Sequence, residues 1–219
     1  MTTQAEARIS TALTAAPERR LLIWIAHRLP AWLHSDLLTL LGLAGQVAAG
    51  VSYGYANGRP WCLILADLCI GVNWFGDSLD GTVARVRNRQ RPKYGYYVDH
   101  VCDIFGSTAM MAGLAVSGLL HWPVALALQI AFLTLASESF LATYSLGRFE
   151  LSRLGLGPTE LRILLCLGNL VAIAHPEAVL GGHRLLLFDI GGVLGAAGMA
   201  ALALVTAIRH TAELRRRAV

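Results

Sequence analysis

Long apolar runs alternate with short polar or basic stretches along most of this chain. Leu37 to Ala56 carries no charge, and a helix of that length crosses a hydrocarbon layer of about 30 Å. Ser35 or Asp36 stands where a cap would start it. Further apolar segments run over roughly 60–84, 95–120, 123–146, 159–178 and 185–208. The fifth is interrupted by His175-Pro176, and Gly157-Pro158 breaks the chain ahead of it, with Thr159 expected as its cap. The pattern predicts an all-α integral membrane protein with six transmembrane helices in one domain, residues 35–219. Residues 1–34 form a separate lead-in. Its first 17 positions are polar and mixed, without a secretory pattern. Arg19 to Leu33 then sets basic residues beside Trp24 and Trp32, which suits an amphipathic helix in the membrane interface, interrupted near Pro30.

Composition agrees with that setting. Of 219 residues, 55% are hydrophobic and 15% charged, and the mean hydropathy is +0.55, too apolar for an ordinary soluble domain. Cys62, Cys69, Cys102 and Cys166 lie in apolar stretches without zinc-type spacing and read as small buried hydrophobes. With six spans, both termini and the loops near 85–93 and 148–162 share one side. That side holds sixteen of the 18 lysines and arginines, against Arg59 and Arg184 on the other. The bias places the basic side in the cytoplasm. The run RVRNRQRPK, five positive charges in nine residues, therefore reads as a cytoplasmic loop able to attract anionic lipid, not as a nucleic-acid site.

The stretch DSLDGTVARVRNRQRPKYGYYVDHVCD, residues 77–103, carries the chemistry. Asp77 and Asp80 are three apart, Asp99 and Asp103 four apart, so each pair shares a helix face. At about 100° per residue, Gly81 and Ala84 fall near the first pair, and Gly95, Gly106 and Gly113 join the second in one stripe. Four converging carboxylates in a low-dielectric site raise one another's pKa and need a cation. Oxygen donors without a His or Cys cluster suit hard ions such as Mg²⁺, Mn²⁺ or Ca²⁺. Four acids can hold two of them about 3.5–4 Å apart, the arrangement used in phosphoryl displacement. The plainer alternative is a structural acid cluster or a set of helix caps; caps do not require four acids with small residues on matching faces.

Asp77-x2-Asp80-Gly81-x2-Ala84-Arg85, nine residues, then Gly95-x3-Asp99-x3-Asp103 resembles the signature of the CDP-alcohol phosphotransferases, with every fixed position filled. The likeness is sharpest from about Asp36 to Asp103. It implies that Asp77, Asp80, Asp99 and Asp103 hold two divalent cations, Mg²⁺ or Mn²⁺, on a CDP pyrophosphate. It implies that Asp103 is the catalytic base for an acceptor hydroxyl. Gly81, Ala84 and Gly95 would line the cytidine pocket, and Arg85 would neutralise phosphate or brace the acids. It further implies a homodimer, a role in phospholipid biosynthesis, and a location, for a chain of this size, in a bacterial plasma membrane with the site facing the cytoplasm. Asp36-Leu37-Leu38-Thr39 resembles the family's Pro-Asn-x-x-Thr entry to the first span, with Ser35 for Pro and Asp36 for Asn.

The acceptor is less legible. CDP-diacylglycerol as donor to a polar alcohol is favoured slightly; CDP-choline or CDP-ethanolamine as donor to diacylglycerol is the alternative, suggested by Asp99-His100 and by Gly157 to Glu160. Arg148, Arg153 and Arg162 could clamp a phosphorylated acceptor, although a positive-inside bias explains them equally. Glu138, an acid within an apolar segment, is a candidate for acceptor binding. Asn73 could support Asp77 one turn away or bridge helices, and Asp67 reads as structural or water-facing. From other classes, a cation transporter would need acids deep in several helices, and a non-catalytic scaffold would not need the acid set. A CDP-lipid hydrolase is chemically nearer.

Overall fold

The computed structural model describes residues 15–147 and 157–217. Arg148 and Arg153 lie outside the described residues. Among the described residues seven helices follow in order: α1 (Ala15–Arg28), α2 (Ser35–Gly54), α3 (Trp61–Val86), α4 (Pro92–Val116), α5 (Trp122–Leu146), α6 (Pro158–Ala174) and α7 (Leu187–Arg217). Of these, α2, α3, α5 and α7 are long and apolar enough to cross a membrane. α4 carries Lys93, Asp99 and Asp103, and α6 has only 17 residues, so length and hydropathy support four spans where the sequence pattern predicted six. The apolar helices make this an integral membrane protein.

Three local expectations are corrected. The fifth segment ends at Ala174, because Pro176 offers no N–H and holds His175 extended, at φ −136° and ψ 77°. A two-stranded antiparallel hairpin follows, β1 (Glu177–Leu180) and β2 (His183–Leu186), in register Glu177 with Leu186. Gly181 and Gly182 supply the two positive φ angles of its turn, 56° and 84°. The basic C-terminal stretch is helical through Arg217, where basic residues in the last turn complement the helix dipole. Thr159 is not the cap of α6. Pro158 opens that helix, and the Glu160 carboxylate accepts from the Gly157 N–H at 2.9 Å.

α2 is the axis of the packing, with α3 and α4 laid against it. Both crossings run over glycine. A methyl at Gly76 on α3 would run into the Gly42 and Leu38 backbone of α2, and one at Gly45 would come within 2.6 Å of the Asn73 nitrogen. Gly113 on α4 is closed in the same way by the backbone of Gly50. The glycine and alanine stripe read from the third segment therefore pairs α4 with α2 inside one chain. Ala49, Tyr53, Cys62, Leu63, Ala66 and Leu114 form the larger core.

α1 is docked at the other end of α2 and α3. Leu22 and Ala26 bury against Leu38, Leu79 and Val83. The Glu18 carboxylate accepts from the Trp74 indole N–H at 2.7 Å. The Arg87 guanidinium donates to the carbonyls of Leu33 at 2.8 Å, Leu29 at 2.9 Å and Pro30 at 3.0 Å, which ties down the turn between α1 and α2.

Gly76→Ala should lower stability in detergent by about 1–3 kcal/mol, the usual overpacking cost. Gly71→Ala, where an added methyl meets nothing within 4 Å, should leave stability unchanged or slightly raised. Thermal melting of the two variants side by side checks the crossing.

Candidate active site

The crossings fix where the acids go. With α3 and α4 both seated on α2, Asp77 from α3 faces Asp99 and Asp103 from α4. One carboxylate oxygen from each lies within 4.8 Å of the others. Thr39, Gly42, Leu43 and Gln46 of α2 wall the cleft on one side, with Asn73 and Cys102 beside the acids. The free space between them is about 10 Å³, room for roughly one water molecule or small ion.

Three of the four predicted aspartates are brought together. Asp80, one turn on from Asp77, is 8% exposed and differently held. The Thr39 hydroxyl donates to its Oδ2 at 2.6 Å, and the Gly81 N–H donates to its Oδ1. Gly81 and Ala84 lie beyond it toward the end of α3, partly buried, and Arg85 donates to the Thr82 hydroxyl at 2.9 Å. Gly95 is exposed near the start of α4, and an added Cβ there would meet nothing within 4 Å. That glycine is not required by helix packing, unlike Gly76 or Gly113.

The sequence did not reveal the cation already present. Arg162, near the start of α6, donates from Nη2 to Asp77 Oδ2 at 2.5 Å and from Nε to Asn73 Oδ1 at 2.8 Å. Asn73 in turn donates to the Gly42 carbonyl at 3.0 Å, so it both bridges α2 with α3 and steadies the guanidinium. A lone arginine opening an apolar helix was the available signal; nothing local names a partner 85 positions away. Thr159, three residues earlier, donates to Glu18 at 2.7 Å and joins α6 to α1.

Other candidates fall elsewhere. Asp36 pairs with Arg91 at the protein surface. His100 uses Nδ1 on the Tyr96 carbonyl at 2.7 Å and sits against the Tyr96 and Phe140 rings. Asp67 accepts from the buried Asn169 amide at 2.6 Å. Glu138 meets His210 at 2.5 Å between α5 and α7. All four cysteines are free thiols.

Three carboxylates carry a formal charge of −3, and Arg162 sets a guanidinium beside one of them. Oxygen donors that close together are the ligand set of a hard divalent cation, so these residues fit Mg²⁺ or Mn²⁺. The sequence pattern of CDP-alcohol phosphatidyltransferases matches residues 32–208. The chain belongs to this family. It is 30% identical over 118 residues to archaetidylinositol phosphate synthase of Pyrococcus horikoshii, 54% of this chain and 56% of that protein. It is 38% identical over 78 residues to ceramide phosphoethanolamine synthase of Drosophila melanogaster, 33% of this chain and 18% of that protein. Against human cholinephosphotransferase 1 the identity is 29% over 103 residues, 44% of this chain and 25% of that protein. The chain thus spans about half the length of the first of these curated relatives and a quarter or less of the others. The fold is shared with Mycobacterium tuberculosis phosphatidylinositol phosphate synthase, solved with CDP-DAG bound, at TM-score 0.62 and 19% identity, over 89% of this chain and 94% of that one.

Thr39→Val removes a donor from the buried Asp80 carboxylate and should lower stability by about 1.5–3 kcal/mol, the range for hydrogen bonds to charged groups. Thr39→Ser should retain most of it. Thermal unfolding of both variants in detergent is the check.

Proposed function

We propose that this chain is a transferase of phospholipid biosynthesis that moves a substituted phosphate group from a CDP-alcohol to an acceptor alcohol and releases CMP. The observation that carries the proposal is the convergence of Asp77 on α3 with Asp99 and Asp103 on α4, both helices seated on α2, in a membrane chain of this family. The open space at Gly95 and the small residues Gly81 and Ala84 support a cytidine pocket at the same end, with Arg85 at its edge.

Asp77, Asp80, Asp99 and Asp103 would hold two divalent cations, Mg²⁺ or Mn²⁺. When bound, these supply neutralising charge to the pyrophosphate and to the departing CMP. The remaining chemistry belongs to the chain. Asp103 takes the proton of the acceptor hydroxyl. The hydroxyl oxygen bonds to the phosphorus that carries the donor alcohol, the bond from that phosphorus to the CMP oxygen breaks, and the pair leaves with CMP. The proton on Asp103 then passes to solvent, restoring the carboxylate.

The donor we favour is CDP-diacylglycerol, with a polar alcohol as acceptor. The likeness to archaetidylinositol phosphate synthase, the longest of the three curated matches, supports that direction. The 38% identity to ceramide phosphoethanolamine synthase favours the second reading, a CDP-choline or CDP-ethanolamine donor with a lipid acceptor. We place α2 to α7 as six membrane spans, including α4 with its charged first half and the short, apolar α6. Exposed Leu21, Ile23 and Trp24 support α1 as an interfacial helix. We put both termini and the site on the cytoplasmic side of a bacterial plasma membrane; the charge of the basic loops supports that orientation. A homodimer is part of the proposal.

Purified protein in lipid, with Mg²⁺ or Mn²⁺, should release CMP and make one new lipid from labelled CDP-diacylglycerol and one of a panel of polar alcohols. A product from CDP-choline or CDP-ethanolamine with diacylglycerol would establish the second reading. CMP with free phosphatidate alone would mean hydrolysis. Asp103→Asn should cut turnover about 10²–10⁴-fold, the usual share of a general base, while CDP binding persists; robust activity in that variant would remove Asp103 as the base.

A further inference from the structure

Asp77, read above as a metal ligand, already accepts from the Arg162 guanidinium through one of its two oxygens. The Asp77 side chain is 23% exposed and that of Arg162 16%, so the pair is largely withdrawn from water and weakly screened. The guanidinium is not a loose surface group that happens to be near. Its Nη2 lies 2.5 Å from Asp77 Oδ2 and its Nε 2.8 Å from Asn73 Oδ1, one helical turn back on α3. The Asn73 amide is fixed by the Gly42 carbonyl at 3.0 Å. Arginine's planar fork spans these two acceptors; a lysine offers a single point charge.

We propose that Arg162 is a resident counter-ion of the aspartate cluster, which competes with the divalent cation for Asp77 and sets how tightly the site binds metal. The inference rests on the cation-binding reading of Asp77, Asp99 and Asp103 given above. Its logic is charge substitution. Without metal, one guanidinium offsets part of the repulsion among the three carboxylates. A divalent cation offsets more, but it must share the Asp77 carboxylate with Arg162 or displace the guanidinium from it. Either way the fixed positive charge works against metal entry. Because α6 carries Arg162 and α3 carries Asp77, metal loading and the seating of α6 become linked, so that each biases the other.

Arg162 is thus a positioning residue, and its test reads metal affinity directly. Mn²⁺ binding to the purified protein in detergent, without nucleotide, is followed by the electron paramagnetic resonance of free Mn²⁺. Arg162→Gln should bind Mn²⁺ about tenfold more tightly than the unaltered protein, the effect expected from removing one nearby, poorly screened charge. Arg162→Lys keeps the charge without the fork and should give a smaller gain; it also serves should the Gln variant fold poorly. Mn²⁺ affinity that is unchanged or weaker in folded Arg162→Gln, or in Arg162→Lys where only that variant folds, would overturn the counter-ion role while leaving the cation site itself intact. If the unaltered protein binds no Mn²⁺ at all, the underlying reading of the three aspartates falls, and this inference with it.

Discussion

Repulsion among three carboxylates is the constraint around which this protein is arranged. In water, acids at the separation of Asp77, Asp99 and Asp103 would cost little to hold apart or together. Between membrane helices the dielectric is low, and each charge raises the cost of the next. A fold that nevertheless brings them to one point has to supply positive charge. Arg162 provides positive charge from within the chain, and the oxygen donors suit an added hard divalent cation. Asp80 shows the other solution. Its carboxylate takes a hydroxyl and a backbone N–H, donors that stabilise an anion without adding charge.

What forces the acids together is the absence of side chains elsewhere. Lipid tails are as apolar as leucine, so helices in a membrane gain little from burying apolar surface against one another, and close backbone approach has to supply the attraction. Gly42, Gly45 and Gly76 let α3 onto α2, and Gly50 and Gly113 let α4 onto α2. The Gln46 side chain packs over Gly106 on the same interface and also lines the acid cleft. The same small-residue stripe that seats α4 therefore turns Asp99 and Asp103 toward Asp77. Packing and chemistry occupy alternate stretches of the same helix faces.

The reach of the sequence follows from this division. The acid spacing, the small residues on the α4 face and the helices α2 to α5 were readable because helical periodicity is local. The hairpin at 177–186 was missed although Pro176 precedes it and the Gly181-Gly182 pair forms its turn, because the segments read over 159–178 and 185–208 absorbed the outer end of each short strand. The sixth segment was ended near 208 because the residues beyond it are polar and basic, although basic residues also suit a helix C-terminus and α7 runs to Arg217. Arg162 with Asp77, Glu18 with Trp74 and Thr159, and Glu138 with His210 are pairings across 85, 56 to 141, and 72 positions. No periodicity encodes them; each depends on which helices the glycine crossings bring side by side.

The setting of α6 shows how these distant pairings cooperate. Arg162 and Asn169 are seven residues apart, two turns of one helix, and so lie on the same face. Asn169 is fully buried, and its amide exchanges hydrogen bonds with the Tyr53 hydroxyl of α2 while donating to Asp67 of α3. Arg162 meets Asn73 and Asp77 of α3. The helix is thus attached at two levels through polar groups that are wholly or largely buried. A slide of one residue along its axis, about 1.5 Å, would break both attachments at once. The guanidinium at the acid cluster is consequently positioned by a network two turns away that never touches it. Interhelical hydrogen bonds of this kind average only about 0.6 kcal/mol each in membranes. Their value here lies less in stability than in register, since register decides whether a positive charge stands beside Asp77.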